Sequence, residues 1–201
     1  MSNFLAIDTS SRYLTVLAQK GEKLVKRHLK DCAMKHSVLL MDEVDKALKE
    51  AELKISDCDF IAAVTGPGSF TGIRIGVSAA KGFALGADKP LLSVTSFELI
   101  AYNVFDENFC VVIDAAHGHY YTCGFGKDKE ITLPPAYLSN EQVISLGQKL
   151  YGFEDLPLEN YTKLNAGDCL ERAVKNSKNK PSQEMHALYV RKSQAEEARK
   201  C

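Results

Sequence analysis

The stretch FLAIDTSSRYLTVLAQKGEKLVKRHLKD, residues 4–31, followed by CAMKHSVLLMDEVDKALKEA, residues 32–51, sets the fold. Residues 3–8 (NFLAID) read as a buried strand that ends on an acid. Residues 12–20 and 23–31 follow, separated by the turn pair Gly21-Glu22. Alternation of Leu14, Val16 and Ala18, and again of Leu24, Lys26 and His28, predicts an antiparallel meander with one face covered. From 36 to 51 the period changes. Leu40, Met41, Val44, Ala47, Leu48 and Ala51 recur at helical spacing and form an apolar stripe. The stripe is complete without Val38 and Leu39, which are apolar all the same, as is Met34 just before them. Such surplus hydrophobes mean either deeper burial or an interface.

Further along, residues 59–66 read as another buried strand, residues 90–94 as a short one, and a helix is expected from about Ser96. Strand, strand, strand, helix, strand, helix is the half-unit of the ribonuclease-H-like, actin-like α/β architecture. Residues 109–116 (FCVVIDAA) and 119–126 (HYYTCGFG) repeat its opening, a strand ending in Asp114 and then a second strand. An internal duplication is therefore expected, with two lobes, 1–103 and 104–201, the second degenerate and its C-terminal segment packing back on the first. Residues 138–152 read as a helix with a Ser139/Gln142 capping box, and 176–184 as a loop. Beyond α/β, little can be read from 127–186.

At 201 residues the chain can bury a real core. With 25 basic and 26 acidic residues, it carries no bulk electrostatic footprint for nucleic acid or membrane. Six scattered cysteines with no C-x-x-C pair fit reduced, buried thiols. The opening residues have no basic region before an apolar run, so no signal peptide is expected, and no apolar run is long enough to span a membrane. The reading is soluble and cytoplasmic.

Thr65–Gly86, TGPGSFTGIRIGVSAAKGFALG, concentrates six of the thirteen glycines. It is not a Walker loop, because Gly72 is followed by Ile73-Arg74 instead of lysine and a hydroxyl residue, and it lacks the G-x-G-x-x-G spacing. It does open a helix, with Thr71 as a candidate cap and Arg74 in the first turn, where an anion could sit. Inside that helix Gly72, Gly76, Ala80 and Ala84 form one ridge, with Ala79, Gly82 and Gly86 on the neighbouring strip. Gly76 and Gly82 together sacrifice roughly 2 kcal/mol of helix stability. Close approach of another backbone offsets such a loss. Two readings stand: the ridge packs on the chain's own sheet, or it receives a partner's helix, with Arg74 and Lys81 at the rim.

These residues also carry a resemblance. LAIDTSS (5–11), His36-Ser37, GPGSFTGIRIGVSAAKG (66–82), PLLSVTSFELIA (90–101), the 112–121 segment and, more weakly, 187–191 with 194–196 are similar to the bacterial TsaB (YeaZ) family. These are glycoprotease-like proteins of the actin-like (ASKHA) superfamily. The resemblance implies a non-catalytic subunit that heterodimerises with TsaD. With the ATPase TsaE, the complex transfers threonylcarbamoyl to the adenosine beside the anticodon in tRNAs reading codons that begin with A. It implies indirect contact with tRNA, self-association when alone, no membrane role and no cofactor of its own. The interface expected on this basis comprises Met34, His36, Val38, Leu39, Gly72, Arg74, Gly76, Val77, Ala80 and Lys81. Where the family commonly has Asp-Ala-Arg, this chain has Asp114-Ala115-Ala116.

The alternative is an actin-like ATPase or kinase, or a metal-dependent hydrolase. Asp8, Thr9 and Ser10 sit where superfamily kinases begin their phosphate contact, with Asp114 in the equivalent second place; a turn role for Asp8 stands beside that reading. There is no Gly-Gly turn for an adenosine and no G-x-S-x-G elbow. TsaD-like relatives carry H-x-x-x-H on the first helix, but here His36 is followed at that spacing by Leu40. One helical histidine does not chelate alone, and His117-x-His119 has no evident third ligand. No catalytic residue and no metal site are expected.

Overall fold

The computed structural model describes residues 2–191. Weak matches at 194–196 and the cysteine at 201 lie outside that range. The first five strands are β1 (Phe4–Asp8), β2 (Leu14–Lys20), β3 (Lys23–Leu29), β4 (Phe60–Val64) and β5 (Leu91–Val94), in spatial order β3-β2-β1-β4-β5. The first three pair antiparallel, and β1, β4 and β5 pair parallel. Helices α1 (His36–Ala51) and α2 (Phe70–Ala87) connect β3 to β4 and β4 to β5, and α3 (Ser96–Ala101) follows β5.

The second sheet repeats the plan. Strands β6 (Phe109–Asp114), β7 (His119–Phe125), β8 (Ile131–Ser139), β9 (Lys149–Gly152) and β10 (Tyr161–Lys163) run in the order β8-β7-β6-β9-β10. Parallel and antiparallel pairs fall at the same places as in the first sheet. The duplication expected from the two strand–Asp openings is thus complete at sheet level, and the chain has the α/β actin-like fold. Degeneracy lies in the helices. Six-residue α4 (Asn140–Ser145) stands where the first lobe has sixteen-residue α1, and an irregular segment joins β9 to β10 where α2 would run.

The period-two pattern explains the layering. Leu5, Ile7, Val16, Ala18, Ile61 and Ala63 face α1 and α2 on one side of the first sheet. Phe4, Ala6, Leu17, Ala62 and Val64 point the other way, into a core shared with Phe109, Val111, Ile113 and Phe125 of the second sheet. Helix α3 and α5 (Ala166–Asn176) fill that shared layer through Phe97, Leu99, Ile100, Cys169, Leu170 and Ala173. One core therefore serves both lobes. The chain also crosses back at its end: Ser182 bridges Leu91, Met185 is buried in the α1/α2 core, and Leu188 N–H donates to Thr65 O at 2.8 Å.

Two expectations need correction. Residues 138–152 are not one helix. The Ser139/Gln142 capping box is present, but α4 ends within two turns, Gly147 adopts φ +62°, and Lys149–Gly152 becomes β9 beside β6. The helix from Ser96 stops at Ala101, shorter than its apolar run, and is held by a capping box of Thr95 and Glu98.

Candidate functional site

The glycine stretch meets the end of β1. Asp8 is buried and forms an Asx turn, its Oδ1 accepting from Ser10 N at 2.8 Å and Ser10 Oγ at 2.7 Å. Burial raises its carboxyl above the ordinary range, while the two Ser10 bonds and His36 pull the other way. Thr9 Oγ1 donates to Gly72 O at 2.6 Å, and Ser10 O accepts from Ser69 N at 2.7 Å. A Cβ on Gly68 would collide with Ser10 O, one on Gly72 with Thr9 O, and one on Gly76 with Thr9 Oγ1. These glycines exist so that the loop and the first turns of α2 can lie directly on the Asp8–Ser10 backbone. The hydrogen bonds of Asp8, Thr9 and Ser10 named here are thus made within the chain, to the turn itself and to the glycine loop packed on it. The cap of α2 is Ser69, whose Oγ accepts from Gly72 N, and not Thr71.

Asp114 at the end of β6 repeats the Asx turn, accepting from Ala116 N at 2.9 Å, but it is exposed. Its own N–H donates to Glu154 Oε2 at 2.7 Å. Burial pushes the Glu154 carboxyl up to about 7; the Asp114 N–H and Arg12 act downward and the Asp114 charge upward. His117 and His119 do not converge. His117 sits in a left-handed turn, and the His119 ring stacks on Tyr137 at 4.7 Å with Nδ1 toward His117 O. Among the described residues no three His, Cys, Asp or Glu side chains group as a metal site. The five described cysteines are buried, with Cys58 and Cys110 pushed up to about 11, which makes poor nucleophiles.

The expected interface divides in two. His36, Gly72, Gly76, Val77 and Ala80 are buried inside the chain, so they are core and not surface. His36 Nε2 lies 3.0 Å from Tyr13 O, which fixes its ring under α1. For the ridge, the plain core-packing reading holds. Met34, Val38, Arg74 and Lys81 are exposed, and Leu39 is half-buried. Met34 is 97% and Val38 76% exposed, and two further apolar residues join them, Met41 at 55% and Leu85 at 87%. Met41 stands in the apolar stripe by spacing, yet the sheet is already covered by Leu40, Val44 and Ala47. Helices α1 and α2 touch, with half-covered Leu39, Leu48, Ile75, Ala79 and Phe83 over their common core. Beside them Gly82 and Gly86 are exposed, and a Cβ on either would meet nothing within 4 Å. The outer face of the pair is thus apolar at Val38, Met41 and Leu85 and bare at Gly82 and Gly86. Leu85 was missed because only the fold shows which α2 positions the sheet leaves uncovered.

A family model for TsaD, tRNA N6-adenosine threonylcarbamoyltransferase, matches residues 30–192. The chain is 35% identical over 120 residues to the tRNA threonylcarbamoyladenosine biosynthesis protein TsaB of Bacillus subtilis, covering 59% of this chain and 52% of that protein. To the TsaB of Escherichia coli it is 32% identical over 129 residues, 62% of this chain and 55% of the relative. The chain thus spans about half the length of the curated relatives it matches. The solved structure of YeaZ from Pseudomonas aeruginosa superposes with a TM-score of 0.75 at 23% identity, over 94% of this chain and 100% of that one, which speaks for the fold. The chain belongs to the family that the TsaD model describes and, within it, to the TsaB (YeaZ) group.

Proposed function

We propose that this chain is a non-catalytic subunit in the formation of threonylcarbamoyladenosine on tRNA, and that it docks on a TsaD-type transferase through the outer face of α1 and α2. The supporting observation is that face itself: Val38 and Met41 of α1 and Leu85 of α2 are exposed, and the missing side chains of Gly82 and Gly86 on α2 serve no internal contact. A helix glycine that relieves no crowding costs about 1 kcal/mol relative to alanine. Close approach by a partner backbone offsets that cost. Arg74 and Lys81 rim the face, and Met34 extends it ahead of α1. Docking would hold the transferase in its competent conformation, with TsaE and tRNA meeting the assembled pair. The filled Asp8–Ser10 turn and Leu40 at the second position of H-x-x-x-H both favour a supporting role over chemistry in this chain.

Val38→Glu combined with Met41→Glu should abolish co-elution with TsaD while leaving the thermal midpoint of the isolated chain within a few degrees. If the double variant still co-elutes, the docking face lies elsewhere. Purified chain should not hydrolyse ATP; turnover that disappears in Asp8→Ala would overturn the non-catalytic reading.

A further inference from the structure

The lobes enclose a cavity of about 330 Å³ between the glycine loop, the β6–β7 turn and the returning segment near residue 190. Pro67, Gly68 and Phe70 form one wall; Tyr121, Tyr189 and Arg191 line the others. Phe70 and Tyr189 remain 43% and 45% exposed although their rings lie 5.4 Å apart. Arg74 lies 3.9 Å over the Phe70 ring and donates from Nε to Tyr189 Oη at 3.2 Å, so among the described residues a ring and a hydroxyl hold it, not a carboxylate. Across the cleft Arg191 stacks 4.9 Å over Tyr137 and donates to its hydroxyl at 3.0 Å. Leu188 N–H, bonded to Thr65 O, fixes the segment that carries Tyr189 and Arg191.

We propose that this cleft binds one unpaired nucleotide of an RNA strand, its base stacked on the Phe70–Tyr189 pair and its phosphate beside Arg74. Half-exposed rings with a guanidinium group against them are what single-stranded nucleic acid uses, because every base has a π-face and every linkage an anion. An acidic peptide would use the arginines and leave the rings bare. A nucleoside triphosphate would bring a magnesium ion, and among the described residues the lining includes no carboxylate to hold one. The volume suits one base with its sugar and phosphate. This inference rests on the tRNA reading above and adds to it a contact surface on this chain that borders the α1/α2 face at Arg74 and does not include Val38, Met41 or Leu85.

The test is fluorescence anisotropy of the full-length isolated chain with a labelled single-stranded RNA pentamer, in low salt. Competitors are AMP, ATP with magnesium, and blunt duplex RNA. The pentamer should bind and the duplex should compete poorly. Phe70→Ala with Tyr189→Ala should weaken binding roughly tenfold or more. Arg74→Gln should lower the slope of log K against log salt by about one. Pentamer binding that is absent, or indifferent to both variants, overturns the proposal. AMP or ATP that binds where RNA does not would assign the cleft to a free nucleotide and also overturn it. Met41→Glu separates the two readings: it should lose TsaD and keep RNA, so either reading can fail without the other.

Discussion

Thr9 and Gly72 show what the glycine stretch is for. A methyl group on Gly72 would enter the space of Thr9 O, which is backbone and cannot swing aside as a side chain can. Gly72→Ala should therefore destabilise the chain by about 1–3 kcal/mol, measured by urea unfolding. Gly82→Ala is the opposite experiment ten residues on. With nothing near its Cβ, it should stabilise the isolated chain by about 1 kcal/mol while weakening capture of TsaD. Glycine count alone could not separate these two kinds. Glu154 gives a pH test. Its folded carboxyl is raised from 4.5 to about 7, so the native state holds the proton more tightly than the unfolded chain. Its contribution to stability is therefore full below about 4.5 and lost as pH rises through about 7. Glu154→Gln, which keeps an acceptor for Asp114 N–H, should flatten that decline in urea midpoints measured across the window.

At the level of elements, α1 was legible to the residue because its sixteen positions repeat one period without interruption. Helix α3 was legible as a start and not as an end. Its six residues depend on Thr95, whose Oγ1 accepts from Glu98 N while Glu98 returns a bond to Thr95 N. Glu98 also accepts from Asn179 Nδ2 at 3.0 Å, tying the cap to the returning chain. Thr95→Ala should cost about 1–2 kcal/mol, seen in thermal unfolding as a lower midpoint with unchanged helix signal before the transition. The segment that becomes β9 misled for a physical reason. Leu146 and Leu150 lie at helical spacing, and only pairing opposite Cys110 of β6 makes Leu150 a strand residue. Gly147, at φ +62°, was the available sign of the break.

Across the whole molecule, one core bridges the two sheets, so the lobes are not independent units. A fragment of residues 1–103 would expose Phe97, Leu99 and Ile100 by losing α5 and the second sheet. It should fail to give a cooperative unfolding transition, whereas the full chain should give a single one by calorimetry. A fragment that melts cooperatively on its own would mean that the lobes are separate domains. The sequence by itself determined the succession of strands and helices along the first lobe, the repeat that announced the second, and the kinship carried by the glycine stretch, because local periodicity and turn chemistry suffice for those. Only the tertiary structure decided which glycines are crowded and which are bare, that Asp8 is closed over by its own chain, and that Phe70 and Tyr189 share a cleft. Those are properties of what lies beside a residue in space, and residues over a hundred positions apart leave no mark of their neighbourhood in the order of the chain.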